Sequence, residues 1–341
     1  MSAPPPGRAR ARRALALALV AAFAAPAAAQ TPRGEGDAFL RGEDEGRAYR
    51  LFLPARPAPA APLVVALHGC WQTPEDFALG TRLNEAARAR GLAVLYPAQG
   101  RFDNPYRCWN WFLPGNQSAT GGESGWILGL ARRVRDARGL RAPRLVVLGF
   151  SAGAFMAVNL ACAAPARVAG LGAIAGGAFR CGTGAEGAIQ CMRGLPQRDP
   201  TGSAVACLAA GGGAAPDLRV SLWHGARDSV VSPANLTGLE AMFARVLGAS
   251  DALTEPAAGA VRATYRARGA PVLETWLVTG MGHAWSGGDA RATHTWPPGP
   301  PATERMLDFL LSSGGASAAP LGEGADAPSR SPARQPPPPR P

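Results

Sequence analysis

The feature that most constrains this chain is a series of short apolar runs that alternate with longer segments of helical pattern. The runs PLVVALHG at 62–69, RLVVLGF at 144–150 and RVSLWHG at 219–225 are mostly apolar. Continuous Val, Leu and Ala runs of this length are typical of parallel strands covered on both faces. The order of segments predicts an α/β fold with a mostly parallel, doubly wound sheet in a single domain. Functional residues are then expected at the carboxyl ends of strands.

The two ends of the 341-residue chain differ in composition from its middle. Residues 1–29 contain the basic stretch RARARR, the apolar stretch ALALALVAAFAA and small residues, which predicts a signal peptide cleaved near Ala29 and secretion to the periplasm or medium. An uncleaved anchor is the alternative, although the apolar run is too short to span a membrane. Residues 30–45 are polar and expected to be loose. Residues 314–341 predict a Pro-rich disordered tail, which leaves residues 38–313 as a single folded domain.

The net charge of +11 does not indicate a nucleic-acid partner. Every basic residue is Arg, four of them lie within residues 1–29, and the others are scattered without a basic stripe or interleaved aromatic residues. Nucleic-acid binding surfaces concentrate their positive charge on one face. We therefore expect no nucleic-acid partner. We also expect no membrane partner and a monomeric protein.

Six cysteines follow the predicted signal peptide. An even number in an exported protein predicts three disulfides, and the spacing contains no paired CxxC of the kind that binds zinc. Fifteen connectivities are open from the count alone. Short spacing favours a bridge between Cys181 and Cys191.

The apolar run at 144–150 leads directly into the pentad Gly149-Phe150-Ser151-Ala152-Gly153. A nucleophile elbow lies at such a junction, where a sharp strand-to-helix turn exposes a serine and requires small neighbours two residues away. The helix that follows directs its positive end at the site and favours a developing oxyanion. The pattern predicts that Ser151 is a nucleophile. The alternative is a tight strand–helix crossing with an incidental serine.

A serine hydroxyl needs a base to accept its proton, and this chain has four histidines. In the α/β-hydrolase order the histidine comes last, on a loop after the final strand. His283 in TGMGHAWSGG fits that position, and His294 is the alternative. The acid is expected between serine and histidine, just past a strand, which favours Asp228 in WHGARDSVV as the group that orients the imidazole. A turn or capping role is the alternative for Asp228.

The tetrahedral intermediate of acyl transfer needs two backbone donors. We expect them to be the N–H of Ala152, directly after the nucleophile, and the N–H of Cys70, in the loop that follows the strand at 62–69. His68 and Gly69 would then shape this loop. The chemistry requires no metal and no cofactor, and none is predicted.

Five motifs occur in one order along the chain: LHGCWQTPEDFA, NPYRCWNWF, GFSAGAFMA, WHGARDSVV and GMGHAWSGG. Together they resemble the esterase family of extracellular poly(3-hydroxybutyrate) depolymerases, whose shorter members include feruloyl and acetylxylan esterases. The resemblance spans residues 48–312. It implies an α/β-hydrolase fold, secretion, a triad of Ser151, Asp228 and His283, and an oxyanion hole formed by the backbone of Cys70 and Ala152.

The resemblance also implies a Cys70–Cys108 disulfide and a substrate contact by Trp285. Trp71 is a second candidate for substrate contact. We therefore expect a secreted serine carboxylic-ester hydrolase that acts on short-chain hydroxyalkanoate esters. A feruloyl or acetylxylan esterase is the alternative within this class, and a non-catalytic polymer-binding module is the alternative from another class.

Overall fold

The computed structural model describes residues 36–195, 199–213 and 216–312, together with Met1. The predicted signal peptide and the predicted tail lie outside the described residues. The strands are β1 (Ala38–Asp44), β2 (Arg47–Leu53), β3 (Leu63–Leu67), β4 (Val94–Pro97), β5 (Leu145–Phe150), β6 (Val168–Ile174), β7 (Arg219–Gly225), β8 (Ser250–Ala257), β9 (Ala260–Ala267), β10 (Ala270–Val278), β11 (Trp285–Ser286) and β12 (Thr295–Trp296).

The helices follow the strands along the chain in the alternating manner that the sequence predicts. They are α1 (Pro74–Thr81), α2 (Leu83–Arg90), α3 (Gly122–Ala137), α4 (Ala152–Ala163), α5 (Gly184–Met192), α6 (Pro200–Ala210), α7 (Ala234–Leu247) and α8 (Ala302–Leu311), with a short 3₁₀ helix at Pro114–Gln117. Among the described residues, no helix is both long enough and apolar enough to cross a membrane.

Ten strands form one sheet in the order β1-β2-β4-β3-β5-β6-β7-β10-β9-β8. The six strands from β4 to β10 in this order run parallel to one another. Antiparallel pairs extend the sheet at both edges. The α/β class and the mostly parallel sheet are therefore confirmed. The short strands β11 and β12 pair separately.

The central strands and α4 form the core beneath the site. Every residue of β3, β5 and α4 is buried, in keeping with their continuous apolar runs. Helix α4 crosses β3 closely, because a Cβ at Gly153 would lie 2.1 Å from the carbonyl oxygen of Leu67. Small residues at the start of α4 therefore bring the β5–α4 junction and the end of β3 together.

Residues 74–90 form two helices rather than one continuous helix. Arg82 adopts a left-handed conformation with φ 53° and separates α1 from α2. The carbonyl of Thr81 accepts a hydrogen bond at 2.6 Å from the hydroxyl of Thr303, at the start of α8. This tertiary bond uses a carbonyl that a continuous helix would need for its own ladder.

Two edge strands form without an apolar run in the sequence. Strand β1 lies within the polar segment expected to be loose, and β8 is mostly exposed. Each pairs antiparallel with its neighbour, β2 and β9 respectively. Backbone hydrogen bonds hold these strands, so they need no apolar run of their own.

The structure contains three disulfides, the number that the sequence predicts. They join Cys70 to Cys108, Cys181 to Cys191, and Cys162 to Cys207. The first ties the loop after β3 to the segment before the 3₁₀ helix. The last ties the end of α4 to α6.

Candidate active site

Ser151 lies at the sharp turn between β5 and α4. Its backbone has φ 52° and ψ −124°, a conformation that side chains rarely adopt, and its N–H donates to the carbonyl of Ile174 at 2.9 Å. A Cβ at Gly149 would lie 2.2 Å from the carbonyl oxygen of Gly153. The glycines on either side of the serine are therefore required by the turn itself, as in a nucleophile elbow.

Three side chains from distant parts of the sequence form one hydrogen-bonded chain. The Ser151 Oγ lies 2.9 Å from Nε2 of His283, and Nδ1 of His283 lies 2.7 Å from Oδ2 of Asp228. A carboxylate only accepts, so Nδ1 carries the hydrogen and the serine hydroxyl donates to Nε2. The imidazole is thus in the tautomer that can accept the serine proton.

Asp228 is fixed by the turn that follows β7. Its Oδ1 accepts from the backbone N–H of Val230 and of Val231, each at 2.9 Å, and its side chain is fully buried. Burial alone would raise the pKa of Asp228, but the nearby His224 and the hydrogen bonds from His283 and Val231 outweigh it and hold the pKa well below its ordinary value. The carboxyl group therefore stays ionised beside His283.

The two backbone N–H groups expected to bind the oxyanion are those of Ala152 and Cys70. Ala152 is the first residue of α4, and Cys70 lies in the loop after β3. Within the part of the chain that the structure describes, neither N–H donates to a protein acceptor. The neighbours of Cys70 are fixed, because Gly69 N–H donates to Gln72 Oε1 at 3.0 Å and Trp71 N–H donates to Tyr106 O at 2.7 Å.

His68 is a structural part of this loop. Its Nε2 accepts from the N–H of Gln99 at 3.1 Å, its Nδ1–H donates to Gly69 O at 2.8 Å, and its carbonyl accepts from the Trp109 indole at 3.1 Å. Complete burial lowers the pKa of His68 to about 4. It is therefore neutral at physiological pH and fixes the path of the Cys70 loop.

Gln99 and Glu123 support the site and are not among the residues that the sequence predicts. The Gln99 amide donates to Glu123 Oε1 at 2.7 Å and to the carbonyl of Cys108 at 3.1 Å. Glu123 is buried, and burial raises its pKa. Gln99 lies two residues past β4, so the rule that functional residues follow parallel strands could have identified it.

The two tryptophans predicted to contact substrate lie in different environments. Trp71 is 59% exposed beside Cys70 and packs edge-on against Tyr106 at 5.1 Å between ring centroids. Trp285 is only 2% exposed: its ring packs against Phe77, and its Nε1–H donates to Thr303 Oγ1 at 3.0 Å. Trp285 is buried because the chain turns into the core immediately after His283, and the expected substrate contact by Trp285 stays a prediction.

His294, the alternative base, lies near the site but outside the hydrogen-bonded chain. Its ring centroid is 6.2 Å from that of His283. Burial and the neighbouring His283 lower the pKa of His294. The described residues contain no group of three or more His, Cys, Asp or Glu side chains that could hold a metal ion.

Comparison with known proteins identifies the family. The family model described as "Esterase PHB depolymerase" matches residues 47–267, well over half of the chain. The chain belongs to this family of esterases. The match includes Ser151 and Asp228 and ends before His283, whose position therefore depends on the geometry above.

Two relatives illustrate the range of this esterase family. The chain is 35% identical over 229 residues to poly(3-hydroxyalkanoate) depolymerase C of Paucimonas lemoignei, covering 65% of this chain and 55% of that protein. It is 27% identical over 218 residues to feruloyl esterase B of Thermothelomyces thermophilus, covering 61% of this chain and 72% of that protein. The alignment thus spans little more than half the length of the depolymerase.

A solved structure shares the fold. The acetyl xylan esterase from Aspergillus awamori superposes with a TM-score of 0.64 at 21% identity, covering 72% of this chain and 94% of that one. At this identity the likeness supports the α/β-hydrolase fold and says nothing about substrate.

Proposed function

We propose that this chain is a secreted serine carboxylic-ester hydrolase that acts on short-chain hydroxyalkanoate esters through the triad Ser151, His283 and Asp228. The observation that carries the proposal is the continuous chain from Ser151 Oγ to His283 at 2.9 Å and from His283 to Asp228 at 2.7 Å. Nucleophile, base and orienting acid are all within hydrogen-bond distance before any substrate binds.

The geometry accounts for each step of ester hydrolysis. Ser151 attacks the ester carbonyl carbon while His283 Nε2 takes its proton, and the resulting oxyanion accepts hydrogen bonds from Ala152 and Cys70 N–H. The imidazolium, stabilised by Asp228, then gives the proton to the departing alcohol, leaving an acyl-enzyme. Water, deprotonated by His283, attacks the acyl carbon and regenerates the serine.

The exposed pair of Trp71 and Tyr106 supplies the first substrate contact. Both rings lie beside the Cys70 loop and are more than half exposed. Flat apolar rings next to an oxyanion hole suit the aliphatic backbone of a hydroxyalkanoate chain. Replacement of Trp71 is therefore expected to weaken binding of longer oligomers.

Secretion and the domain limits are part of this proposal. Three disulfides among the described residues agree with an oxidising compartment. We assign residues 1–29 to a cleaved leader, 38–313 to the catalytic domain and 314–341 to a tail. Amino-terminal sequencing of the exported protein tests the leader.

Substitution of the nucleophile tests the mechanism. We expect Ser151→Ala to reduce hydrolysis of p-nitrophenyl butyrate by at least about a thousandfold, because no other group can form the acyl-enzyme. Ser250→Ala, at an exposed serine on edge strand β8, is the matched control and keeps wild-type activity. Activity of Ser151→Ala at the wild-type level would refute the mechanism and leave the polymer-binding module as the better hypothesis.

A feruloyl or acetylxylan ester is the second candidate substrate. It is favoured by the alignment with feruloyl esterase B, which covers 72% of that protein against 55% for the depolymerase. The ratio of kcat/KM values for hydroxybutyrate oligomers and methyl ferulate separates the two. We expect the oligomers to give the higher value, and a clear preference for methyl ferulate would reverse the assignment.

A further inference from the structure

His224 is a fully buried histidine that the triad does not include. It lies near the end of β7, four residues before Asp228. Its Nε2 is 2.9 Å from the carbonyl oxygen of Val231 and 3.5 Å from Oδ2 of Asp228. A carbonyl oxygen only accepts, so Nε2 carries a hydrogen and donates it.

The other ring nitrogen of His224 destabilises the folded state and makes no compensating hydrogen bond within the described part of the chain. Its Nδ1 is buried without a hydrogen-bond partner among the described residues. Unpaired buried polar atoms are destabilising, and each one in a folded protein calls for an explanation. An apolar side chain would fill the same space without that cost. The feature of His224 that such a side chain lacks is the Nε2–H donor.

That donor closes a ring of hydrogen bonds around the Asp228 turn. Asp228 Oδ1 accepts from the N–H groups of Val230 and Val231, and the carbonyl of Val231 accepts from His224. The bond from His224 to the carbonyl of Val231 thereby fixes the turn to β7 three residues after Asp228. The same Nε2–H lies on the Oδ2 side of Asp228, where His283 binds at 2.7 Å.

We infer that His224 is a positioning residue that holds Asp228 in the orientation that its contact with His283 requires. It acts through the turn at 228–231 and through the positive end of its N–H dipole near Oδ2. This inference rests on the proposed function, because the role of Asp228 is defined by the triad.

Two substitutions of similar shape test this role. In His224→Gln the amide Nε2 occupies the place of the imidazole Nε2 and keeps a donor. In His224→Met the side chain has similar length and flexibility but cannot donate. We expect the Met variant to lose kcat on p-nitrophenyl butyrate by about ten- to a hundredfold with little change in KM, and the Gln variant to stay within about fivefold of wild type.

The outcomes separate positioning from simple packing. Circular dichroism and thermal melting first establish that each variant is folded. If both folded variants lose kcat equally, or if His224→Met keeps wild-type kcat, the Nε2–H donor has no role and the inference is wrong. If the wild-type protein shows no ester hydrolysis, or if Ser151→Ala remains active, the proposed function itself is wrong, and this outcome is distinct from a failure of the inference about His224.

A measurement on the unmodified protein covers the case in which His224→Met does not fold. Nitrogen-15 labelling of the four histidines, with assignment by His224→Gln, reports the tautomer of each ring. The inference requires His224 to carry its hydrogen on Nε2, with Nδ1 bare. A hydrogen on Nδ1 alone would leave nothing to donate to Val231 or Asp228 and would overturn it.

Discussion

Asp228 uses its two carboxylate oxygens differently. Oδ1 is held by two backbone N–H groups at 2.9 Å, and Oδ2 faces His283 at 2.7 Å. An amide in the place of the carboxylate could keep its oxygen on the backbone donors. Its NH₂ group would then face Nδ1 of His283 and favour the wrong imidazole tautomer.

We therefore expect Asp228→Asn to fold normally and to lose kcat by on the order of a thousandfold or more, because the ring can no longer accept the serine proton at Nε2. Steady-state kinetics with p-nitrophenyl butyrate measure the effect. Asp217→Asn, at an exposed residue paired with Arg144, is the control and should leave kcat unchanged. A loss of less than about tenfold in Asp228→Asn would show that the carboxylate does not set the tautomer.

At the scale of elements, two disulfides close loops of similar length in different places. Cys70–Cys108 spans 38 residues and ties down the loop that contains Cys70, whereas Cys162–Cys207 spans 45 residues and ties the far end of α4 to α6. Loop-closure entropy depends only weakly on length, so the two bonds stabilise the folded state by similar amounts, about 4 kcal/mol each. Their effects on catalysis should differ.

Replacing each pair by alanine separates stability from positioning. We expect both double variants to lose a similar free energy of unfolding in urea. The Cys70→Ala/Cys108→Ala variant should also lose kcat by on the order of ten- to a hundredfold, because the Cys70 N–H is no longer held toward the oxyanion. The Cys162→Ala/Cys207→Ala variant should keep its kcat. Equal kcat values in the two variants would show that the Cys70 N–H does not bind the oxyanion.

The elements that could be predicted are those whose own residues are apolar enough to indicate that they are buried. Strands β3 and β5 are continuous apolar runs, and the small residues around Ser151 are required by the turn that they form. Edge strands β1 and β8 could not be predicted, because backbone pairing with a neighbour holds them and their side chains are largely exposed.

The candidate site divides in the same way. Residues that follow a strand, such as Asp228 and His283, could be placed by chain order. The burial of Trp285 could not be predicted from the sequence, because it depends on packing against Phe77 and a hydrogen bond to Thr303, which are distant in sequence. Cys162 and Cys207 lie on α4 and α6, and the packing of these two helices brings them together.

At the scale of the whole molecule, the buried ring of His68 makes the free energy of unfolding depend on pH. Burial lowers its pKa in the folded protein to about 4, against about 6.5 in an unfolded chain. Between these two values the unfolded chain binds more protons, so the free energy of unfolding falls as the pH drops from about 6.5 to about 4. Above this window His68 is neutral in both states and contributes no pH dependence.

We expect His68 to account for a loss of about 3 kcal/mol across that window. Urea unfolding followed by tryptophan fluorescence at a series of pH values measures the slope. His68→Gln, whose amide oxygen can still accept from Gln99 N–H, lacks the titrating ring and should show a shallower slope. Parallel slopes for the two proteins would mean that His68 is not buried in its neutral form.

The central claim is that folding makes Ser151 a nucleophile by joining it to His283. Reaction with a p-nitrophenyl alkylphosphonate, followed by mass spectrometry of the peptides, tests it most directly, because such reagents trap an activated serine as a stable tetrahedral adduct. We predict one label per molecule, on Ser151, with release of one equivalent of p-nitrophenol and no reaction in His283→Ala. A label on a different residue, or an unlabelled protein that continues to hydrolyse esters, would contradict the claim.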